Sequence, residues 1–344
     1  MSGQTVDRKD GLEVAAVATE QSGSGGAGGR LSALRGAEFR NLGLLVVLAV
    51  LCVVGALTSP NFLTGANLSN ILVTSSVIGV VAVGATFVII GGGIDLSVGA
   101  LVALASVWAT TVATQSYGPV VMVLCALTVG MVAGAVNGLL IAYGRLVAFI
   151  VTLAMLVSAR GLAAKLAENR TQIVEDRAIK DLALKDVYGI PQLVIILAVV
   201  VLAGWLLLNR TTFGRRTFAI GGNAEAARLA GINVQRTTML LYTLSGLCCG
   251  IAAVMIMART TTGSSTHGEL YELDAIAAVI IGGTLLTGGR GTIIGSLLGV
   301  LVFTTINNIF ILNNLATEVQ DIAKGLIIVG AVLLQRRATR GSTT

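Results

Sequence analysis

NRTTFGRRTFAIGGNAEAARLAGINVQR, from Asn209 to Arg236, is the only long polar and basic stretch lying between long apolar runs. A chain otherwise suited to lipid comes out into water there and presents a segment of its own. Asn223 has the side chain of an N-cap, Glu225 sits where the positive end of a helix dipole favours a carboxylate, and Gly231 suits the left-handed residue past a helix end. The spacing predicts a helix of about two turns carried on a loop. An ordinary positive-inside loop would satisfy the same charges, so the rest of the chain has to decide.

Of 344 residues, 55% are hydrophobic and only 12% charged. That mix fits a bundle of spanning helices, each needing about 20 apolar residues, and not a soluble domain. The expected fold class is an all-α polytopic membrane protein. The net charge of +6 comes from Lys and Arg scattered at the ends of apolar runs rather than clustered with aromatics, which orients a chain in a membrane and argues against a nucleic-acid surface. Cys52, Cys125, Cys248 and Cys249 lie in apolar runs without metal-ligand spacing, so they read as small core residues and no metal site is expected.

Residues 1–40, Gly/Ser-rich at Ser22 to Gly29, carry too little apolar surface to fold alone, and a disordered cytoplasmic tail is expected. Apolar runs follow at about 41–57, 68–90, 94–114, 119–142, 147–166, 191–208, 238–257, 273–288, 291–310 and 318–334, which makes about ten spans. With both termini inside, the cytoplasmic connections hold Arg145, then Arg210, Arg215, Arg216, Arg228 and Arg236, then Arg290. A last cytoplasmic tail, 335–344, holds Arg336, Arg337 and Arg340. The membrane domain is thus 41–334, with 167–190 as its longest extracytoplasmic loop and 209–236 as a cytoplasmic loop between spans six and seven. Gly130, Gly134 and Gly138, and again Gly291, Gly295 and Gly299, have the GxxxG spacing that lets helix backbones approach in lipid.

Two glycine-interrupted stretches are candidates for a pathway: GGGIDLSVG, with Gly91, Gly92, Gly93, Asp95 and Ser97, and GGTLLTGGRG, with Gly282, Gly283 and Thr284. Broken backbone at membrane depth is tolerated only inside protein or along a watery cavity. Asp95 has two readings, a helix N-cap or a pathway carboxylate. Asn137, Asn307 and Asn308 either line a polar route or bond between helices. Asp321 and Lys324, three apart, form a local ion pair. The one histidine, His267, falls in an outside loop with no expected role, and catalysis has no footing. No lysine is followed by Ser or Thr, so the chain holds no P-loop, and an ATP-driven process would need a separate ATPase polypeptide. Coupling to an ion gradient would call for several intramembrane carboxylates, which are scarce apart from Asp95.

GGGIDLSVGALVALAS (Gly91 to Ser106), AIGGNAEAARLAGINV (Ala219 to Val234) with the later SGL (Ser245 to Leu247), and YELDAIAAVIIGGTLLTGGRGTIIGSLLG (Tyr271 to Gly299) together resemble the permease subunits of bacterial ABC sugar importers of the ribose, xylose and arabinose type. The similarity covers about Asn41 to Leu334. It implies a plasma-membrane subunit that pairs with a second permease chain, docks ATP-binding subunits and receives a monosaccharide from an extracytoplasmic binding protein. Glu225, Ala226, Ala227 and Gly231 match the family's coupling helix, with Asn223 and Arg228 beside them. Gly91, Gly92, Gly93, Asp95, Ser97, Asn137, Gly282, Gly283, Thr284 and Asn307 become candidates for the translocation pathway. The resemblance implies no cofactor in this chain, ATP and Mg being bound by the partner ATPase. Leu285 and Leu286 stand where relatives commonly have a polar residue, and the STHGEL loop lacks the usual glycine before Tyr271. Some members carry other small solutes. An ABC permease for another solute, an ion-coupled secondary transporter and a transport-free scaffold are the alternatives.

Overall fold

The computed structural model describes residues 28–340, so the ends of both expected tails, 1–27 and 341–344, lie outside the described residues. The long helices are α1 (Gly28–Thr58), α2 (Gly65–Ile90), α3 (Val98–Ala109), α4 (Val112–Gln115), α5 (Pro119–Ala142) and α6 (Ala148–Leu166), with only α4 a single turn. A folded excursion follows, made of β1 (Gln172–Ile173), α7 (Arg177–Leu184), β2 (Asp186–Val187) and β3 (Ile190–Pro191). Then come α8 (Gln192–Arg210), α9 (Thr212–Gly222), α10 (Ala224–Leu229), α11 (Val234–Thr260), β4 (Thr262–Gly263), α12 (Tyr271–Ile281), α13 (Ile293–Leu312) and α14 (Thr317–Arg340). Helix α1 begins inside the segment expected to be a tail, and α14 runs on into the expected last tail.

Among the described residues, seven helices are long and apolar enough to cross a membrane: the 41–58 part of α1, then α2, α5, α6, α8, α11 and α13. The run at 94–114 does not form one continuous span. It holds the 12-residue α3, about 18 Å long against a hydrocarbon thickness of about 30 Å. The run at 273–288 likewise holds the 11-residue α12, about 16 Å long. Glycines explain both: Gly91–Gly93 delay the start of α3, and Gly282–Gly283 stop α12. The run at 318–334 lies in α14, whose first turns carry Glu318, Asp321 and Lys324, with Lys324 Nζ 3.3 Å from Asp321 Oδ1 as the spacing predicts.

Contacts sort the connections onto two faces. On one, β1 pairs antiparallel with β4, Gln115 donates to the Ile173 carbonyl at 3.0 Å, Arg259 donates to Asn70 at 3.2 Å, and Asn313 donates to Thr58 at 3.2 Å. This joins 58–70, 110–118, 167–190, 259–270 and 313 on one side. The opposite face carries 91–93, 209–236 and 288–291.

Helix α2 is the central helix, with 89% of its most apolar window buried, against 11% for α1. Apolar burial gives helices no mutual attraction in lipid, so close backbone packing has to hold them. A Cβ on Gly134 would overlap the Tyr242 carbonyl, and one on Gly138 would sit 2.6 Å from the Met239 carbonyl. The glycine ladder therefore lets α5 lie directly against the backbone of α11. Gly295 and Gly299 do the same for α13 against the carbonyls of Gly282 and Ala278 on α12. Cys248 and Cys249 are buried core residues, while Cys52 and Cys125 are partly exposed, and all four are free thiols.

Candidate functional site

The two interrupted stretches are built the same way. Helices α2 and α12 both end in Val-Ile-Ile-Gly-Gly, at 88–92 and 279–283. In α2 the Gly92 N–H bonds the Ile89 carbonyl and the Gly93 N–H bonds the Val88 carbonyl, each at 2.9 Å. In α12 the Gly283 N–H bonds Ile280 at 2.8 Å and the Thr284 N–H bonds Val279 at 3.1 Å. Both are Schellman endings, with Gly92 and Gly283 each left-handed at φ +83°. A repeat in the sequence thus ends two helices by one device, and a pair of glycine-broken helices is the usual sign of a transporter's internal repeats. The duplicated VIIGG was the sequence signal that could have shown it.

The two endings meet. Gly289 N–H donates to the Ile90 carbonyl at 2.9 Å, and Gly288 lies against Gly92, where an added Cβ would stand 2.9 Å from its Cα. The last turn of α9 closes the junction. A Cβ on Gly221 would overlap the Ile90 carbonyl and lie 2.6 Å from Gly289 N, and one on Gly289 would lie 3.0 Å from Gly222. The sequence predicts loop from Thr212 to Gly222, whereas the segment is an 11-residue helix capped by the Thr211 hydroxyl.

Beyond the first break, Asp95 is buried with Ser97 and Asn137. Its Oδ1 accepts from the Ser97 N–H at 3.0 Å and the Ser97 hydroxyl at 2.6 Å, and its Oδ2 accepts from the Ser245 hydroxyl at 2.9 Å. Asn137 donates to Ser97 Oγ at 2.9 Å, and the Tyr242 hydroxyl donates to the Ile94 carbonyl at 3.2 Å. Asp95 is thus not the N-cap of α3, because Ser97 occupies that position. The carboxylate instead ties the break directly to α11 through Ser245, and through Ser97 to Asn137 of α5, and three hydrogen bonds offset its desolvation. Asn137 Oδ1 is buried and has no partner among the described residues.

The other sequence candidates lie apart from this network. Gly282 is pressed against the Gly295 carbonyl, and Thr284 is fully buried against Gly291. Asn307 sits in α13 with its Oδ1 buried and unpartnered among the described residues, while its neighbour Asn308 exchanges two amide hydrogen bonds with Asn67, at 2.8 and 3.0 Å.

On the same face as the glycine junction, α10 is a six-residue helix with both ends satisfied. Asn223 Oδ1 accepts from Ala226 N–H at 2.9 Å. At the far end Gly231, φ +81°, donates to the Arg228 carbonyl and Ile232 donates to the Ala227 carbonyl, each at 3.0 Å. Ala227 is buried, while Glu225, Ala226, Arg228 and Leu229 are exposed, Leu229 at 75%. Arg228 donates to Glu225 at 3.0 Å, and its guanidinium holds the Glu225 carboxyl below its ordinary range. Leu229 was missed from sequence because a lone leucine in a polar loop gives no pattern.

On the opposite face His267 is buried rather than exposed, with Nδ1 3.2 Å from Ser106 Oγ and Nε2 3.4 Å from Thr260 Oγ1. Arg160, in α6, donates to the carbonyls of Ser265 and His267 at 2.7 and 2.9 Å and so pins this loop. Burial first, and then the Arg160 charge, push the His267 imidazole down to about 4. The imidazole is neutral at pH 7.

A model of permease components described as "branched-chain amino acid transport system / permease component" matches residues 67–332. The chain belongs to this permease family. Its relatives include the ribose import permease protein RbsC of Bacillus subtilis (strain 168), 40% identical over 87% of this chain and 93% of that protein. They also include the RbsC of Escherichia coli (strain K12), 40% identical over 85% and 92% of the two chains. The L-arabinose transport system permease protein AraH of the same strain is 36% identical over 88% and 92%. No solved structure matches the chain. The permease is therefore an ABC importer permease of the ribose and arabinose type, crossing the bacterial plasma membrane several times.

Proposed function

We propose that the permease forms the translocation pathway for a monosaccharide delivered by an extracytoplasmic binding protein, and that separate ATPase subunits drive it from the α9–α10 face. The reading rests on one observation: α10, capped at both ends, holds the apolar side chain of Leu229 at 75% exposure among charged residues on a loop outside the spans. An exposed apolar side chain in such a place is what a protein groove takes up. The arginines gathered on that face support a cytoplasmic side for it, and the reading takes both termini to lie on that side with ten passages of the chain, two of them through the half-helices α3 and α12. ATP and Mg would bind to the partner ATPases, and a second permease chain would complete the pathway. Asp95, Ser97 and Asn137, with the two glycine breaks, would lie along its wall.

Names of relatives support the substrate class, since ribose and arabinose permeases align with nearly the whole chain. The family model's own description, which names branched-chain amino acids, favours a second reading in which another small solute is carried. The test is an affinity purification of the permease from detergent-solubilised native membranes. A P-loop ATPase should copurify with the wild type and be lost with Leu229→Asp or when Glu225 to Ala227 are replaced. Its complete absence from the gently solubilised wild type would transfer the assignment to an ion-coupled transporter that works alone.

A further inference from the structure

Beside α10, on the same face, lies a cavity of about 430 Å3 whose lining includes Thr212, Phe213, Arg216, Asn233, Arg236 and Leu240. Arg216 comes from α9 and Arg236 from α11. Neither guanidinium has a hydrogen-bond or ion-pair partner among the described residues, and no acidic residue lines the cavity. The first residue of α9, Thr212, and the N-cap of α11, Asn233, also line it, which adds the positive ends of two helices to the two arginines. A second cavity, of about 260 Å3, shares Phe213 and Leu240 with the first and is otherwise lined by Met131, Leu207, Thr243, Leu244 and Leu247. It runs along α11 into the span. A cationic pocket therefore adjoins an apolar groove across a common wall of Phe213 and Leu240.

We propose that this pair of cavities is a binding site for one anionic phospholipid. The phosphate lies between Arg216 and Arg236, and an acyl chain lies along Leu207, Leu244 and Leu247. Orientation in the membrane accounts for arginines on this face, but not for two unpaired arginines lining one cavity that shares a wall with an apolar groove. Paired guanidinium groups suit phosphate oxygens, and a polar head with an apolar tail matches the change in lining from one cavity to the next. The site touches Gly231 and so borders the end of α10.

The test uses the purified full-length permease in mild detergent, with lipid binding followed by native mass spectrometry against added phosphatidylglycerol, phosphatidylcholine of the same acyl chains, or inorganic phosphate. Phosphatidylglycerol should bind at least about tenfold more tightly than phosphatidylcholine, since each basic side chain contributes about fivefold. The double variant Arg216→Gln, Arg236→Gln should lose that preference, whereas Arg216→Lys, Arg236→Lys should keep most of it. Both arginines are exposed, so the variants should fold, and circular dichroism would confirm it. Equal binding of the two lipids by the wild type, or an undiminished preference in the Gln variant, would overturn the proposal. So would full displacement of phosphatidylglycerol by millimolar phosphate, which would mark a site for free anions only.

Discussion

At the scale of single residues, Gly231 and His267 show how a position can be decided by conformation or by burial. A Cβ on Gly231 would meet nothing within 4 Å, so the constraint there is its φ of +81° alone. Gly231→Val should destabilise the end of α10 by about 1–2 kcal/mol and weaken ATPase association, while Gly231→Asn, which tolerates left-handed backbone, should retain most of it. Wild-type association in the Val variant would refute the need for that turn. His267 gives a pH dependence. Its imidazole titrates near 4 when folded and near 6.5 when unfolded, so between these values the unfolded chain binds the extra proton. The stability from His267 is complete above about pH 6.5 and is lost as pH falls toward 4, by at most about 3 kcal/mol. Melting temperature measured against pH should fall over that window in the wild type and much less in His267→Asn. The burial was illegible in sequence, because Arg160, which pins the loop, lies more than a hundred positions away.

At the scale of elements, the glycine ladders were legible and the half-helices were not. GxxxG spacing is local, and it marked the face of α5 that packs backbone to backbone, while its partner, α11, is set by the fold. Gly134→Leu would drive a branched side chain into the Tyr242 carbonyl and the Gly246 backbone of α11. Such overpacking should cost about 1–3 kcal/mol or more and lower the melting temperature, whereas Gly161→Leu, with open space around it, should change little. Equal melting temperatures for the two variants would count against the ladder. Run length alone gave continuous spans at 94–114 and 273–288, because the residues flanking each break are apolar and hydropathy does not register a change of backbone. Helix α9 escaped for the opposite reason. Its glycines read as loop, but they are there to admit the Leu208 and Ile90 carbonyls at Gly214 and Gly221.

At the scale of the whole molecule, one face is tied together by β1–β4 pairing and by Arg160, while the opposite face converges on one glycine junction. Within the proposed function this predicts uptake that stops when ATP is depleted even though the proton and sodium gradients are held; uptake that persists would identify a lone, ion-driven carrier. Asp95, the candidate carboxylate in the sequence, is committed to three hydrogen bonds inside the bundle, so the burden of movement falls on the backbone at the junction. There Gly221 and Gly222 of α9 lie main chain against main chain on Ile90 and Gly289. Side chains can swivel between rotamers and take up a small push as play, as worn gears do. Main chain against main chain has no such backlash, so a displacement of α10 handed on by α9 would reach both broken helices together and undiminished.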